Sequence, residues 1–290
     1  MERREFLTKA GAAGLAALGG GAAMAGETTK RPGENEVAYR TRLARLRAAQ
    51  ASVRGGIVGG TDFFELRRYE IETQEQKAGL DKFFSEAAIP AVNRLAVKPV
   101  GVFYPAEGIS PFYVLLVHPS LESFATMSAR LIEDQEFTAK GAAFIDAPAD
   151  KPAYKNLETQ LMQAFQGMPR LELPVGGSGR VFQLRTYESP SRKTGLKKIE
   201  MFNTAEIAIF RKVGLHPVFF GQTLAGTKMP NLTYMLGFKD MEESKAAWQA
   251  FGQDPDWKTL SAKPEYADKA ILRPKGITNL YLKPADYSQI

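Results

Sequence analysis

The sequence predicts an α+β fold built from two copies of one module, and three observations support this prediction. The run Phe64–Glu70 recurs as Phe182–Glu188, and the later element Asp134–Phe137 recurs as Asp254–Trp257 in the same order. Each copy then shows the same succession of strand-like and helix-like patterns. A segment rich in proline and glycine, which ends in Gly176–Gly179, separates the copies. Ordered matches at a nearly constant spacing indicate duplication of a structural unit.

The first copy predicts four strands and two main helices. Apolar residues alternate at the start of 62–72, and further strands are predicted at 99–104, 112–118 and near 159–165. An amphipathic helix follows the first strand, with the apolar residues Leu80, Phe83, Phe84, Ala87 and Ala91. The second helix spans 120–131 and begins at Ser120, a favoured N-cap residue.

The second copy predicts the same elements. Strands are expected at 180–188, 217–220, 232–238 and 269–273, and the second helix at 240–251 begins at Asp240. The apolar face of its first helix is predicted from Leu196, Ile199, Phe202 and Ile209. The order β-α-β-β-α-β is that of the ferredoxin-like fold. Because the helices cover only one face of such a sheet, the two sheets are predicted to pack against each other.

The N-terminus predicts export from the bacterial cytoplasm. Arg3 and Arg4 precede Phe6-Leu7 in a pattern resembling the twin-arginine signal, and a weakly apolar stretch follows. Ala23-Met24-Ala25 supplies a small-x-small cleavage site, so we expect a signal peptide over 1–25 and a periplasmic protein. The partner implied is the twin-arginine export machinery. An uncleaved anchor is the alternative, although the apolar stretch is shorter than the roughly 20 residues of a spanning helix.

Four further segments complete the predicted domain organisation. Residues 26–61 form a basic linker, in which seven Lys and Arg side chains outnumber three Glu. The two modules are predicted at 62–166 and 180–285, with a linker at 167–179 between them.

Composition excludes several classes of function. The chain has no cysteine, so disulfides and thiolate chemistry are excluded, and its two histidines are too few for a multi-histidine metal site. We predict no metal. Most of the net charge of +6 lies outside the two modules, so they lack the basic face that nucleic acid requires.

The repeated motifs resemble those of the NIPSNAP family. The resemblance rests on the Glu-Leu-Arg-x-Tyr strand, the helix after it, Lys98-Pro99-Val100-Gly101, and the Asp-x-(Glu/Asp)-(Phe/Trp) element. Both copies carry the pattern, over about 62–166 and 180–285. The resemblance implies a dimeric α/β barrel formed within one chain. Its wider superfamily includes oxygenases, haem enzymes and binding proteins, so fold alone does not select a function.

Strand alternation predicts a site between the halves. Phe64, Leu66 and Arg68 share one face of the first strand, and we expect this apolar face to pack on the helices. The opposite face in each copy carries an Arg-x-Tyr pair. These pairs, Arg67 with Tyr69 and Arg185 with Tyr187, are therefore predicted to line one shared cavity. An arginine there suits a carboxylate or an enolate.

Other interpretations of these residues stay open at this stage. The arginines are equally consistent with a structural role, paired with Glu70, Glu188 or backbone carbonyls. His118 and His216 have no histidine counterpart in the other copy, so each is a candidate base or haem ligand beside an ordinary structural role.

The function predicted is binding of a small organic molecule between the halves. An oxygenase or isomerase without a cofactor or with haem, and an assembly protein that forms homo-oligomers, are the alternatives. No cofactor is required by the sequence.

Overall fold

Eight antiparallel strands of the described chain close into one barrel, to which each copy contributes four. The computed structural model describes residues 60–173, 176–177 and 179–290. The predicted signal peptide and nearly all of the basic linker lie outside the described residues. Within the described part, no helix is long and apolar enough to cross a membrane.

The strands follow the predicted order closely. Their bounds in the first half are β1 Phe63–Glu70, β2 Val100–Pro105, β3 Phe112–His118 and β4 Asn156–Ala164, and in the second half β5 Val181–Glu188, β6 His216–Ala225, β7 Asn231–Phe238 and β8 Ile277–Pro284. Around the barrel the order is β1-β3-β2-β8-β5-β7-β6-β4. The halves therefore join at two seams, where β2 pairs with β8 and β4 pairs with β6. This closure leaves no free sheet edge between them.

The helices cover the outside of the barrel. In the first half α1 runs through Gln74–Lys82, a π-helical turn Phe83–Ala88 and Ile89–Arg94, and is followed by α2 Leu121–Glu133 and α3 Gln135–Ile145. In the second half α4 runs through Arg192–Met201, a π-helical turn Phe202–Glu206 and Ile207–Lys212, and is followed by α5 Met241–Gln253, α6 Pro255–Ser261, a 3₁₀ turn Pro264–Tyr266 and α7 Asp268–Ile271.

Side-chain caps fix where the helices begin. Thr73 and Ser191 cap α1 and α4 as members of capping boxes, and Ser120 and Asp240 cap α2 and α5 as predicted. The equivalent caps also define which residues correspond between the halves.

Two predictions about the second half are wrong. The last strand is β8, whereas residues 269–273 include the end of α7, whose Ile271 is buried in the core with Leu272. Leu196 is 54% exposed, so it does not belong to the buried face of α4. Counted from the caps, the position equivalent to Leu80 is Lys198.

The described residues form three hydrophobic cores. Each half has its own core between sheet and helices. The third core fills the inside of the barrel with residues from both halves, including Phe64, Phe103, Phe182 and Phe219. The predicted α+β fold of two ferredoxin-like modules packed as an intrachain barrel is confirmed.

Candidate functional site

A cavity of about 400 Å³ opens at one end of the barrel, between the two halves. The other part of the interior is filled by aromatic side chains, with Phe64 against Phe219 and Phe103 against Phe182. The cavity is lined by polar and leucine side chains of both halves: Leu66, Arg68, Glu70, Tyr113, Glu158, Thr159, Gln160, Leu184, Thr186, Thr227, Lys228, Thr278 and Leu280.

Neutral hydrogen-bonding groups make one wall of this cavity. Gln160 Nε2 donates to Thr223 Oγ1 at 2.7 Å and to Thr233 Oγ1 at 3.0 Å. The Thr186 and Thr233 hydroxyls lie 2.9 Å apart. Hydroxyl groups both donate and accept, so Thr186 can serve a further partner within the cavity.

Charged groups at the rim are balanced. Arg68 Nη1 lies 2.8 Å from Glu70 Oε1 and 3.6 Å from Glu158 Oε2. Burial lowers the pKa of Arg68, but the contacts with Glu70 and Tyr113 raise it by a larger amount. The net pKa of Arg68 therefore lies above its ordinary value. Lys228 is the second cation in the lining. Both lining carboxylates, Glu70 and Glu158, lie beside Arg68, whereas Lys228 Nζ lies 3.7 Å from Glu188 Oε1. The cavity therefore offers no excess charge to a ligand.

The predicted faces of β1 and β5 are inverted. Phe64 and Leu66 point into the barrel, together with Phe182 and Leu184. The Arg-x-Tyr side chains lie outside the barrel, where Tyr69 and Tyr187 belong to the separate cores of the two halves. The physical reason is that the barrel interior is itself a core, so the apolar face turns inward. Arg67, Tyr69, Arg185 and Tyr187 therefore do not share one cavity, and Arg68 takes the inner position instead.

In the first half, Arg67 belongs to a buried polar chain. Its Nε donates to Glu65 Oε1 at 2.6 Å, and Glu65 Oε2 lies 3.0 Å from His118 Nε2. His118 Nδ1 lies 3.2 Å from Ser123 Oγ. Burial raises the pKa of Glu65, but His118 and Arg67 outweigh it, so the net pKa is lowered. Burial would lower the pKa of Arg67, but Tyr69 and Glu65 raise it above its ordinary value.

The histidines lie in different surroundings. Both ring nitrogens of His118 have protein partners, as described above, and neither is aimed at the barrel cavity. His216 begins β6 and is 40% exposed, with Nε2 3.9 Å from Glu243 Oε1.

In the second half, Arg185 lies among aromatic rings. Its guanidinium carbon is 4.6 Å from the centre of the Trp248 ring, and its Nε is buried without a hydrogen-bond partner in the described chain. Tyr187 Oη lies 3.0 Å from Tyr234 Oη. Burial raises the pKa of Tyr234 well above its ordinary value. The sequence-predicted Arg-Tyr pairs thus form two separate arrangements, one in each half.

Sequence reasoning missed a buried ion pair beneath α4. Lys198 Nζ lies 3.1 Å from Glu206 Oε2, and the side chains are 2% and 3% exposed. The helix caps place Lys198 where the first half has Leu80, and Glu206 where it has Ala88. The sequence contains the signal for this lysine, since counting from the cap residue Ser191 places Lys198 on the apolar side of α4, where the prediction instead placed Leu196.

Comparisons with known proteins support the fold. A candidate monooxygenase from Fusobacterium nucleatum is 8% identical, with a TM-score of 0.52 over 78% of this chain and 94% of that chain. A second one, from Lactobacillus acidophilus, is 9% identical, with a TM-score of 0.50 over 77% and 94%. At these identities the likeness shows the fold alone. A search of curated proteins found no match.

A third solved structure, a NIPSNAP-like domain protein from Burkholderia xenovorans, is 18% identical and covers 39% of this chain and 92% of that chain, with a TM-score of 0.35. The family is shown by a sequence model alone. The sequence model of the NIPSNAP family matches residues 64–148 and 182–289, one segment in each half of the barrel. The matched residues make up more than half of the chain, and the protein therefore belongs to the NIPSNAP family.

Proposed function

We propose that this protein binds a small hydroxylated organic molecule in the cavity at the barrel end, between its two halves. The observation that supports this most directly is the cavity of about 400 Å³, to which both halves contribute polar side chains. Its size falls in the range of about 300–1,000 Å³ that is typical of ligand pockets.

The lining favours a neutral, hydroxyl-rich ligand. Threonine hydroxyls and the Gln160 amide offer donors and acceptors without net charge, whereas Arg68 is already engaged by Glu70. Leu66, Leu184 and Leu280 provide an apolar surface for the carbon skeleton. A sugar or polyol combines these two properties, because its ring or chain carries hydroxyls around an apolar frame.

Export is part of the proposal. The paired Arg3-Arg4 and the Ala23-Met24-Ala25 site support a twin-arginine signal that is removed in the mature protein. The proposed site of action is therefore the periplasm, where small hydroxylated nutrients enter from outside.

Filling the cavity is expected to abolish binding. The test is saturation-transfer NMR with a panel of monosaccharides and polyols on the mature protein. A bulky indole in Thr186→Trp would occupy the cavity, so signals seen with the parent should disappear. The smaller change Thr186→Val removes one hydroxyl and should weaken binding by up to about tenfold.

The control places the same bulk elsewhere. Thr259 is exposed on α6, and Thr259→Trp should bind like the parent. Sugar or polyol signals that survive Thr186→Trp at full strength, or an absence of binding across the panel, would contradict the proposed function.

A further inference from the structure

The first half buries a chain of ionisable groups, of which the carboxyl group and the imidazole have no counterpart at the equivalent positions of the second half. Glu65 and His118 are 3% and 0% exposed, and Glu65 Oε2 lies 3.0 Å from His118 Nε2. Arg67 and Ser123 extend this chain at its two ends. Removing such groups from water costs free energy. Replacing a buried ion pair by well-packed apolar residues often leaves the stability of a protein unchanged or raises it. A purely structural role therefore explains these residues poorly.

The second half reaches the same fold with neutral residues. The β1–β3 and β5–β7 registers place Gln183 where the first half has Glu65, and Phe238 where it has His118. Gln183 accepts a hydrogen bond from Trp248 Nε1 at 2.6 Å and donates to Asn279 Oδ1 at 2.8 Å. The second half thus forms the equivalent strand pairs with an amide and a phenyl ring in place of the carboxyl group and the imidazole.

The two halves also differ in the side chain that lies over the arginine, which is Arg67 in the first half and Arg185 in the second. Counted from the caps of α2 and α5, the position of Trp248 is occupied in the first half by Ser128. The Trp248 indole covers Arg185, whereas the exposed Ser128 leaves Arg67 at the base of a groove. This groove measures about 450 Å³ and is lined by Glu65, Arg67, Phe124, Met127, Ser128, Leu157 and Thr159.

We propose that this groove is a second binding site, which takes a small organic acid with an apolar body. The Arg67 guanidinium is hydrogen-bonded to Glu65 through Nε and also to Tyr69. The ligand carboxylate would accept its hydrogen bonds from the terminal N–H groups that these two residues leave. The side chains of Phe124, Met127 and Leu157 form the apolar wall that would contact the rest of the molecule.

Glu65 and His118 act as positioning residues in this site. Glu65 holds the guanidinium through Nε, and His118 holds Glu65 through its second oxygen. Glu65 engages the Arg67 guanidinium at Nε, and the ligand carboxylate would bind the same guanidinium as a second anion. The proposal is independent of the barrel cavity, since the groove lies between the sheet and α2, outside the barrel.

The test uses benzoate as the probe and benzamide as its uncharged analogue, with binding to the mature protein measured by calorimetry. Arg67→Met should weaken benzoate binding by about tenfold or more, because it removes the charged donors. Arg185→Met is the matched control, and it should leave binding unchanged because Trp248 covers that arginine.

A second variant separates binding from folding. Ser128→Trp copies the second half at an exposed position, leaves the buried cluster intact and should block benzoate binding. The barrel variant Thr186→Trp should bind benzoate like the parent, so failure of one site is distinguishable from failure of the other. Equal losses in Arg67→Met and Arg185→Met, equal affinity for benzoate and benzamide, or undiminished binding in Ser128→Trp would overturn the proposal.

Discussion

Replacing Lys198 by methionine is expected to lower the free energy of unfolding by about 3–5 kcal/mol. The variant leaves the Glu206 carboxylate buried without its partner 3.1 Å away, in a core formed by aromatic and aliphatic side chains. Burial already raises the pKa of Glu206 more than the neighbouring Lys198 lowers it, which shows how poorly this site accommodates a lone carboxylate.

The double variant Lys198→Met/Glu206→Met should recover the lost stability. Removing both charges also removes both desolvation costs, so its free energy of unfolding is expected to equal or exceed that of the parent. The first half supports this expectation, because it folds with Leu80 and Ala88 at these positions.

Urea unfolding followed by circular dichroism measures these differences. The exposed pair Lys197–Glu200, whose Nζ and Oε1 atoms lie 2.8 Å apart, provides the control. Lys197→Met should change the free energy by less than about 1 kcal/mol. If Lys198→Met lowers the free energy of unfolding no more than Lys197→Met does, Lys198 does not stabilise a buried Glu206 carboxylate as described.

Truncating Phe103 in the first half is expected to destabilise the second half as well. Phe103 is fully buried inside the barrel, with its ring centre 5.0 Å from that of Phe182 in the other half. Phe103→Ala removes a large side chain from this shared core, which should lower the free energy of unfolding by about 3–5 kcal/mol.

The position of the tryptophans makes this effect measurable. The chain has two tryptophans, and both Trp248 and Trp257 lie in the second half. In Phe103→Ala the unfolding transition seen by their fluorescence should have a lower urea midpoint than in the parent. The transition seen by circular dichroism, which reports on the whole protein, should fall by the same amount. Ile132→Ala, at a side chain 61% exposed on α2, should shift neither signal measurably. An unchanged fluorescence midpoint in Phe103→Ala would mean that the halves unfold independently.

The sequence predicts the architecture well because its evidence is repeated. Each strand pattern and each helix cap occurs twice, and a sheet with helices on one face needs a partner for the other face. The family resemblance and the observed barrel agree with that reasoning.

The sequence predicts the site poorly because alternation separates two faces without stating which one points inward. Phe64 and Leu66 suit a helix-packed core and a barrel core equally well, and the structure places them in the second. The prediction therefore placed Arg67 inside the barrel and Arg68 outside it, which is the reverse of the observed arrangement. The cavity between the halves is lined by residues of the opposite strand face from the one that alternation suggested.

Other features depend on contacts that no local pattern contains. His118 meets Glu65 across neighbouring strands, and Lys198 meets Glu206 across two turns of α4. Trp248 covers Arg185 only because α5 lies over β5. These differences between the halves are visible only once equivalent residues are set side by side in space.

A crystal structure of the protein soaked with the tightest-binding sugar or polyol of the panel tests the central claim most directly. Binding between the halves predicts electron density for the molecule at the barrel end, within hydrogen-bond distance of Thr186 and beside Leu184. Density for the sugar or polyol only outside the barrel, with ordered water filling the barrel-end cavity, would contradict it.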